Sequence, residues 1–251
     1  MNIFQKAFDQ NRINNLQASA NDNSFKEDIG TGGIQWISER HVACVFLLDT
    51  SSSMNSNDAI GKLNEGLRTF KEQTMNDSSF DEHTKACIDV AIVSFGPDVR
   101  VHQEFIPVSD MIPPTLTANG GTPMGEGIDK ALDMITEQKS KYKKFGTPYF
   151  RPWVFCITDG EPNDSYASAV QRLKKLEADN SVLGYCVGVE NFNRHTMANI
   201  FNTERIFELD NLNFPALFEF LSNSLATVRN SDSNGSRVLS LPAPRDLHIA
   251  F

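Results

Sequence analysis

The sequence predicts an α/β domain whose mostly parallel sheet is covered by helices on both faces. Short apolar segments rich in β-branched residues alternate with longer segments whose apolar residues recur at helical spacing. Residues 42–48 form an uninterrupted apolar run, which is typical of a strand buried on both faces. The chain has 251 residues and 40% hydrophobic content, so it is long enough to bury one large core or two small ones.

The strands and helices follow one another from residue 42 onwards. Gly96-Pro97-Asp98 is a turn signal between two strand-like segments, so we expect an antiparallel hairpin there. Pro123 suits the first turn of a helix, because its missing N–H has no partner at that position. After the run at 42–48, further strands are predicted at 87–95, 99–105, 153–158, 182–189 and 206–209. The apolar stripes of the predicted helices are Ile60, Leu63, Leu67 and Phe70; Ile128, Ala131, Leu132 and Ile135; Ala167, Val170, Leu173 and Leu176; and Phe214, Leu217, Phe218, Leu221, Leu225 and Val228.

Segments of different composition flank this alternating region. Residues 1–40 form a polar N-terminal arm with too few apolar residues to fold alone, residues 41–229 form the domain, and residues 230–251 form a linker and an apolar tail. We expect Phe25, Ile34, Trp36 and Ile37 to dock the arm onto the domain. The tail is expected either to fold back onto the domain or to act as a separate docking segment.

Charge and cysteine content limit the function classes. The formal net charge is −9 and the sequence pI is near 5.0, which argues against nucleic acid or an anionic membrane as the main partner. No signal-like segment begins the chain and no apolar run approaches the roughly 18 residues of a membrane span, so we expect a cytoplasmic protein. The cysteines lie in separate apolar segments without a CxxC pair and are expected to be free, buried thiols; they are Cys44, Cys87, Cys156 and Cys186.

The end of the first strand carries an oxygen-rich motif. Asp49, Ser51 and Ser53 follow the apolar run at alternate positions, and in an extended chain such residues point the same way. Hard oxygen donors aimed at one point favour Mg²⁺ or Mn²⁺ over zinc. The alternative is a serine-rich loop in which Asp49 caps the following helix.

Thr122 and Asp159 extend this motif to further loops. Asp159 follows another predicted strand, and ligands of open α/β sheets bind beyond the carboxyl ends of strands. Thr122 follows two glycines, which leave its hydroxyl unobstructed by neighbouring side chains. The sequence therefore predicts a metal site formed by Asp49, Ser51, Ser53, Thr122 and Asp159.

These three segments resemble the metal-ion-dependent adhesion site (MIDAS) of von Willebrand factor A (VWA) domains. The chain carries the D-x-S-x-S pattern at 49–53, the threonine in Gly120-Gly-Thr-Pro123 and the second aspartate in Thr158-Asp-Gly160. The resemblance covers about residues 40–229. It implies a Rossmann-like doubly wound fold, with strand order 3-2-1-4-5-6 and one antiparallel edge strand. It also implies that the serines and the threonine contact Mg²⁺ or Mn²⁺, while the aspartates act largely through water.

A narrower resemblance concerns two longer segments. Residues 120–128 and 149–164 are similar to bacterial intracellular proteins of the tellurium-resistance TerY type. That group is associated with stress-response gene clusters that encode protein kinases and phosphatases. The resemblance therefore implies a kinase or phosphatase as partner, and it does not extend to the N-terminal arm.

The function expected from these residues is binding rather than catalysis. We expect a divalent-metal-dependent adaptor or scaffold in which a protein partner supplies an acidic residue to the metal. Glu161 and Asp164 either form an acidic rim that tunes the partner or belong to a solvated loop. A Mg²⁺-dependent phosphohydrolase is the alternative, but Ser51 stands where such an enzyme needs a second carboxylate. A structural scaffold with an empty site is the remaining alternative.

Overall fold

The computed structural model describes residues 40–76, 82–189, 192–229 and 247–249. The strands are β1 Val42–Asp49, β2 Ile88–Phe95, β3 Val99–Pro107, β4 Trp153–Thr158, β5 Leu183–Val189, β6 Ile206–Leu209 and β7 Leu247–Ile249. The α-helices are α1 Ala59–Asn76, α2 Glu82–Cys87, α3 Met124–Lys144, α4 Ala167–Ala178, α5 Arg194–Ile200 and α6 Phe214–Arg229. Short 3-10 helices lie at Ser52–Asp58, Val108–Asp110, Thr203–Arg205 and Asp210–Leu212.

The strands form one sheet in the order β3-β2-β1-β4-β5-β6-β7. Strand β1 pairs in parallel with both β2 and β4, and β4, β5 and β6 continue the parallel part. Strand β3 pairs antiparallel with β2, as the turn signal at residues 96–98 predicts. The predicted α/β class and the order 3-2-1-4-5-6 are confirmed. A short seventh strand, β7, adds to β6 in the antiparallel direction.

Several local predictions differ from the fold. Cys87 is the last residue of α2 and not the first residue of a strand. The short helices α2 and α5 were not predicted, because one or two turns give too little periodicity to be recognised. Pro123 lies just before α3, which begins at Met124. The predicted docking of the arm lies outside the described residues; of the tail, only β7 is described, and it pairs with β6 through Leu247–Ile249.

The central strands β1, β2, β4 and β5 are buried on both faces. One core cluster packs the sheet against α1 and α6, and the other packs it against α3, α4 and α5. Every residue of β1 is buried, as a strand covered on both faces requires. Phe46 of β1 packs edge-on against Phe70 of α1 and Phe218 of α6, with ring centroids 5.2 and 5.7 Å away. In the described ranges, no helix has the length and apolarity that a membrane crossing needs.

The topology places the carboxyl ends of β1 and β4 side by side. The strand order reverses between them, because β2 and β3 lie on one side of β1 while β4, β5 and β6 lie on the other. Such a reversal leaves a crevice beyond the carboxyl ends of the two strands, where α/β proteins bind ligands. Asp49 ends β1 and Asp159 directly follows β4, so both aspartates lie at this crevice.

Candidate metal centre

The loop after β1 brings three of the predicted ligands together. Asp49 is fully buried, and Ser51 is also buried. The backbone N–H of Ser51 donates a hydrogen bond to Asp49 Oδ1 at 2.8 Å. The hydroxyl oxygens of Ser51 and Ser53 lie 2.9 Å apart and are hydrogen-bonded. The three side chains therefore converge beyond the end of the strand.

The backbone that achieves this differs from the predicted extended chain. Ser51 is extended, with φ −65° and ψ 164°, but a 3-10 helix begins at Ser52. The N–H of Ser52 donates to the carbonyl of Gly120 at 3.1 Å, which ties the turn to the loop that carries Thr122. The hydroxyl of Ser53 thus reaches the site from a turn and not from a strand-like continuation.

The end of β4 joins this cluster through two hydroxyl groups. The Ser53 hydroxyl donates to Asp159 Oδ1 at 2.7 Å, and the buried Thr158 hydroxyl donates to Asp49 Oδ2 at 2.6 Å. Thr158 was not among the predicted site residues. Its signal is the strand register: Leu48 pairs with Ile157, so Thr158 lies beside Asp49 on the neighbouring strand.

Thr122 approaches the same place from the loop before α3. An ideal Cβ built on Gly160 would lie 3.5 Å from Thr122 Oγ1, 3.8 Å from Asp49 Oδ2 and 3.8 Å from Ser53 Oγ. Oxygen atoms of these three side chains therefore lie within 4 Å of one point. Together with the hydrogen bonds of Ser51 and Asp159, this geometry brings all five predicted residues into one cluster.

Backbone contacts hold these loops in register. The N–H of Asn119 donates to the carbonyl of Thr50 at 2.8 Å, and the N–H of Asn163 donates to the carbonyl of Thr122 at 3.1 Å. Gly120 has φ +75°, and a Cβ there would lie 2.5 Å from the Cα of Pro97. Glycine is therefore required at position 120 both for its backbone conformation and for the close approach to the hairpin turn.

Burial sets the electrostatics of Asp49. It raises the pKa of the Asp49 carboxyl from its ordinary value of 3.8 to about 6, against the lowering effect of the hydrogen bonds from Ser51 and Thr158. The nearby Asp159 also raises this pKa, because two like charges oppose each other's ionisation. The partners that hydrogen-bond to Asp49 are neutral, so a cation at the cluster would stabilise its charged form.

The residues present fit a hard divalent cation. The cluster supplies hydroxyl oxygens from Ser51, Ser53 and Thr122 and carboxylate oxygens from Asp49 and Asp159, and such oxygens suit Mg²⁺ and Mn²⁺. Across the described part of the chain, no group of three or more His, Cys, Asp or Glu side chains is placed to hold a metal. A metal site at this crevice therefore depends on hydroxyl groups as well as on carboxylates.

The two acidic residues considered either as a rim or as part of a solvated loop have separate roles. Asp164 accepts hydrogen bonds from the N–H groups of Gly125 at 3.1 Å and Glu126 at 2.9 Å, so it caps the N-terminus of α3. Glu161 is exposed, and its Oε1 accepts hydrogen bonds from the side chains of Asn193 and Thr196. Asp164 thus stabilises a helix end, and only Glu161 offers an exposed carboxylate.

Comparison with protein-family models decides the family. Residues 44–220 match the model of the von Willebrand factor type A domain, which is well over half of the chain. The chain belongs to this family. The VWA domain accounts for the sheet order and for the position of the MIDAS-like cluster at the reversal of strand order. A search among curated proteins finds no match to the sequence.

Solved structures of other proteins share the fold at low sequence identity. The pilus adhesin SpaC from Lactobacillus rhamnosus GG is 14% identical with a TM-score of 0.58, over 74% of this chain and 31% of that chain. Proximal thread matrix protein 1 from the mussel byssus, with a zinc-occupied MIDAS motif, is 17% identical with a TM-score of 0.51, over 77% and 47%. BatB from Bacteroides thetaiotaomicron is 18% identical with a TM-score of 0.51, over 76% and 100%. The chain thus spans less than half of the adhesin and of the mussel protein.

Proposed function

We propose that this VWA protein is a non-catalytic adaptor or scaffold that binds a protein partner through a divalent metal ion, Mg²⁺ or Mn²⁺. The observation that carries the proposal is the arrangement of Asp49, Ser51, Ser53, Thr122 and Asp159 from three loops in one cluster. VWA domains commonly use the metal of a MIDAS for protein–protein interaction. The mussel protein with zinc at its motif shows that the test must include zinc.

Each residue of the cluster has a distinct part in this function. The hydroxyls of Ser51, Ser53 and Thr122 are suited to contact the ion directly, because neutral ligands leave it electron-poor. Asp49 and Asp159 would supply negative charge to the ion, and the hydroxyl of Thr158 holds the Asp49 carboxylate in position. A divalent ion held by these residues would supply a Lewis-acidic centre for a carboxylate from outside the chain. An acidic residue of the partner is therefore the expected ligand, because charge-assisted contacts are strong in a partly dehydrated crevice.

The composition of the site favours binding over catalysis. No lysine, histidine or cysteine occurs in residues 49–53, 120–123 or 158–162, so the groups that these segments offer for catalysis are limited to carboxylates and hydroxyls. A Mg²⁺-dependent phosphohydrolase remains the alternative function, with Asp49 at the end of its strand as the reacting carboxylate. Turnover of a phosphoester that stops in Asp49→Asn would support the enzyme and contradict the adaptor.

The cellular context that we propose follows from the narrower TerY-type resemblance. In this proposal the protein acts in the bacterial cytoplasm, within a stress-response or tellurium-resistance system, with a kinase or phosphatase as partner. The four buried free cysteines fit a reducing compartment. Fractionation of the native cells and identification of co-purifying proteins test this context directly.

A metal-controlled capture experiment tests the adaptor function. The full chain is immobilised and exposed to native lysate with Mg²⁺, Mn²⁺, Zn²⁺ or EDTA, and retained proteins are identified and then rebuilt as purified pairs. We expect a partner that is retained with metal, released by EDTA and lost in Ser51→Ala/Ser53→Ala. A folded double variant that binds the purified partner as tightly as wild type contradicts the metal-bridged mechanism. Retention that does not respond to EDTA supports the scaffold with an empty site.

A further inference from the structure

The carboxylate of Glu161 is held by hydrogen bonds in the loop that follows Asp159 of the predicted metal site. Its Oε1 accepts hydrogen bonds from the amide group of Asn193 and, at 3.4 Å, from the hydroxyl of Thr196. The amide oxygen of Asn193 in turn accepts the N–H of Thr196 at 3.0 Å, so the donor is itself fixed at the start of α5. The carboxylate is therefore positioned in advance, although the side chain is exposed.

The loop that carries Glu161 is anchored on both sides. The N–H of Gly160 donates to the hydroxyl of Thr158 at 3.2 Å, and the N–H of Asn163 donates to the carbonyl of Thr122 at 3.1 Å. Glu161 lies two residues after Asp159, so their Cα atoms are at most about 7 Å apart. The backbone of Glu161 therefore lies beside the place where a ligand of the cluster would bind.

The negative charge of Glu161 would repel a ligand that carries only acidic groups. A partner that brings a carboxylate to the metal also brings it towards Glu161 and towards a chain with a formal net charge of −9. Like charges at such a boundary disfavour a partner, and opposite charges favour it. In the described residues, the hydrogen bonds of Glu161 all involve Oε1, which leaves Oε2 as an acceptor for an incoming cation.

Building on the proposed function, we propose that Glu161 determines partner specificity. It selects protein ligands in which a lysine or arginine lies beside the metal-binding acidic residue. A metal ion held by the cluster would bind the carboxylate, and Glu161 would bind the neighbouring lysine or arginine. The partner surface is then basic overall, with a single acidic residue at its centre. This proposal extends the adaptor function from an acidic residue alone to a paired acidic and basic motif.

Short peptides of defined charge test the pairing. The probes are acetylated and amidated pentapeptides with Lys-Asp-Lys, Ala-Asp-Ala or Lys-Asn-Lys at the centre. Their affinity is measured by the broadening of peptide proton NMR signals that Mn²⁺-loaded protein causes, with EDTA-treated protein as the diamagnetic reference. In wild type at low salt, we expect the Lys-Asp-Lys peptide to bind about threefold to fivefold more tightly than the Ala-Asp-Ala peptide.

Two matched variants isolate Glu161. Glu161→Gln keeps an oxygen that can accept from Asn193 and removes only the charge. Glu204→Gln makes the same charge change in the exposed turn at the amino end of β6, whereas the cluster lies at the carboxyl ends of the parallel strands. We expect the preference for the Lys-Asp-Lys peptide to fall at least about twofold in Glu161→Gln and to stay unchanged in Glu204→Gln.

The outcomes separate this inference from the function on which it rests. An unchanged peptide preference in Glu161→Gln overturns the role of Glu161 and leaves metal-dependent binding intact. Equal affinity of the Lys-Asp-Lys and Lys-Asn-Lys peptides, or chemical-shift changes of the peptides that persist with EDTA-treated protein, overturns both the metal-bridged function and the specificity proposal.

Discussion

At the residue scale, burial of the charged Asp49 carboxylate lowers the unfolding free energy of the metal-free protein, and a bound metal ion would offset this loss. This carboxylate is fully buried between the Ser51 N–H and the Thr158 hydroxyl, and burial raises its pKa to about 6. The folded state therefore binds a proton more tightly than the unfolded state, whose pKa is near 3.8. The contribution of Asp49 to metal-free stability is fully present below about pH 3.8 and is lost as the pH rises through about 6.

Asp49→Asn should therefore stabilise the metal-free protein at pH 7.5. The difference between the two pKa values corresponds to at most about 3 kcal/mol of unfolding free energy. The Thr158 hydroxyl can turn towards the carbonyl of Gly160, 3.4 Å away, and accept from the new amide. Denaturant unfolding in EDTA measures the gain, and exposed Asp179→Asn is the control. If Asp49→Asn is less stable than wild type under these conditions, burial of the charged Asp49 carboxylate does not lower the unfolding free energy.

Asp159 and Asp164 lie in one loop and should respond differently to removal. Asp159 accepts from Ser53, so Asp159→Ala should weaken Mg²⁺ or Mn²⁺ binding by at least about tenfold, since a charge near the ion is lost. Asp164 caps α3, so Asp164→Ala should lower the unfolding free energy by about 1 kcal/mol and leave metal affinity within about twofold. Titration calorimetry and denaturant unfolding measure both variants. Unchanged affinity in Asp159→Ala removes this residue from the site.

At the element scale, the loop before α3 depends on a glycine with positive φ. Gly120 (φ +75°) and Gly146 (φ +67°) have similar backbone conformations, but a Cβ on Gly120 meets Pro97 and a Cβ on Gly146 meets nothing within 4 Å. Gly146→Ala therefore measures backbone strain alone, about 1 to 2 kcal/mol. Gly120→Ala adds the clash and displaces Thr122.

We expect Gly120→Ala to lose more stability than Gly146→Ala and to lose metal affinity as well. Thermal unfolding and calorimetry on both variants make the comparison. Equal metal affinity in the two variants would show that the position of Thr122 does not depend on this turn.

The burial of the cysteines predicts how fast they react with a thiol reagent. Cys44, Cys156 and Cys186 are buried within β1, β4 and β5, and burial raises the pKa of each thiol. Labelling of native protein by a thiol reagent should therefore be slow, while denatured protein should react at all four cysteines, Cys87 included. Mass spectrometry of labelled protein counts the modified residues. A disulfide in freshly isolated protein contradicts the proposed cytoplasmic location.

At the scale of the whole molecule, metal binding should raise the stability of the fold. The ligands belong to loops that the folded sheet brings together, so the unfolded chain has no equivalent site. A free ion concentration of 100 times Kd adds about 2.7 kcal/mol, which raises Tm by roughly 5 to 10 °C for a domain of this size. Thermal unfolding with Mg²⁺, Mn²⁺, Zn²⁺ and EDTA measures the shift. Ser51→Ala/Ser53→Ala should unfold at one temperature in all four conditions; a shift equal to that of wild type places the metal elsewhere.

The sequence by itself predicted the α/β class, the approximate positions of strands β1 to β6 and five residues that the fold brings together beyond β1 and β4. Strand and helix periodicities are local, so a window of ten to fifteen residues shows them without knowledge of the fold. The motif at 49–53 could be recognised from the sequence because an apolar run ends abruptly at these polar residues. The sequence did not predict the short helices α2 and α5, because their six and seven residues complete too few turns to show a helical periodicity.

The tertiary structure alone decided how these residues act on one another. Thr158 bonds to Asp49 across 109 positions, and Asp164 caps a helix that begins 40 residues earlier, at Met124. Such contacts depend on strand register and loop path, which no local pattern encodes. The same holds for Glu161, whose exposed carboxylate is fixed by Asn193 and Thr196 from a helix that the sequence did not reveal. Local patterns thus specified which groups are available, and packing over long sequence separations specified which of them meet.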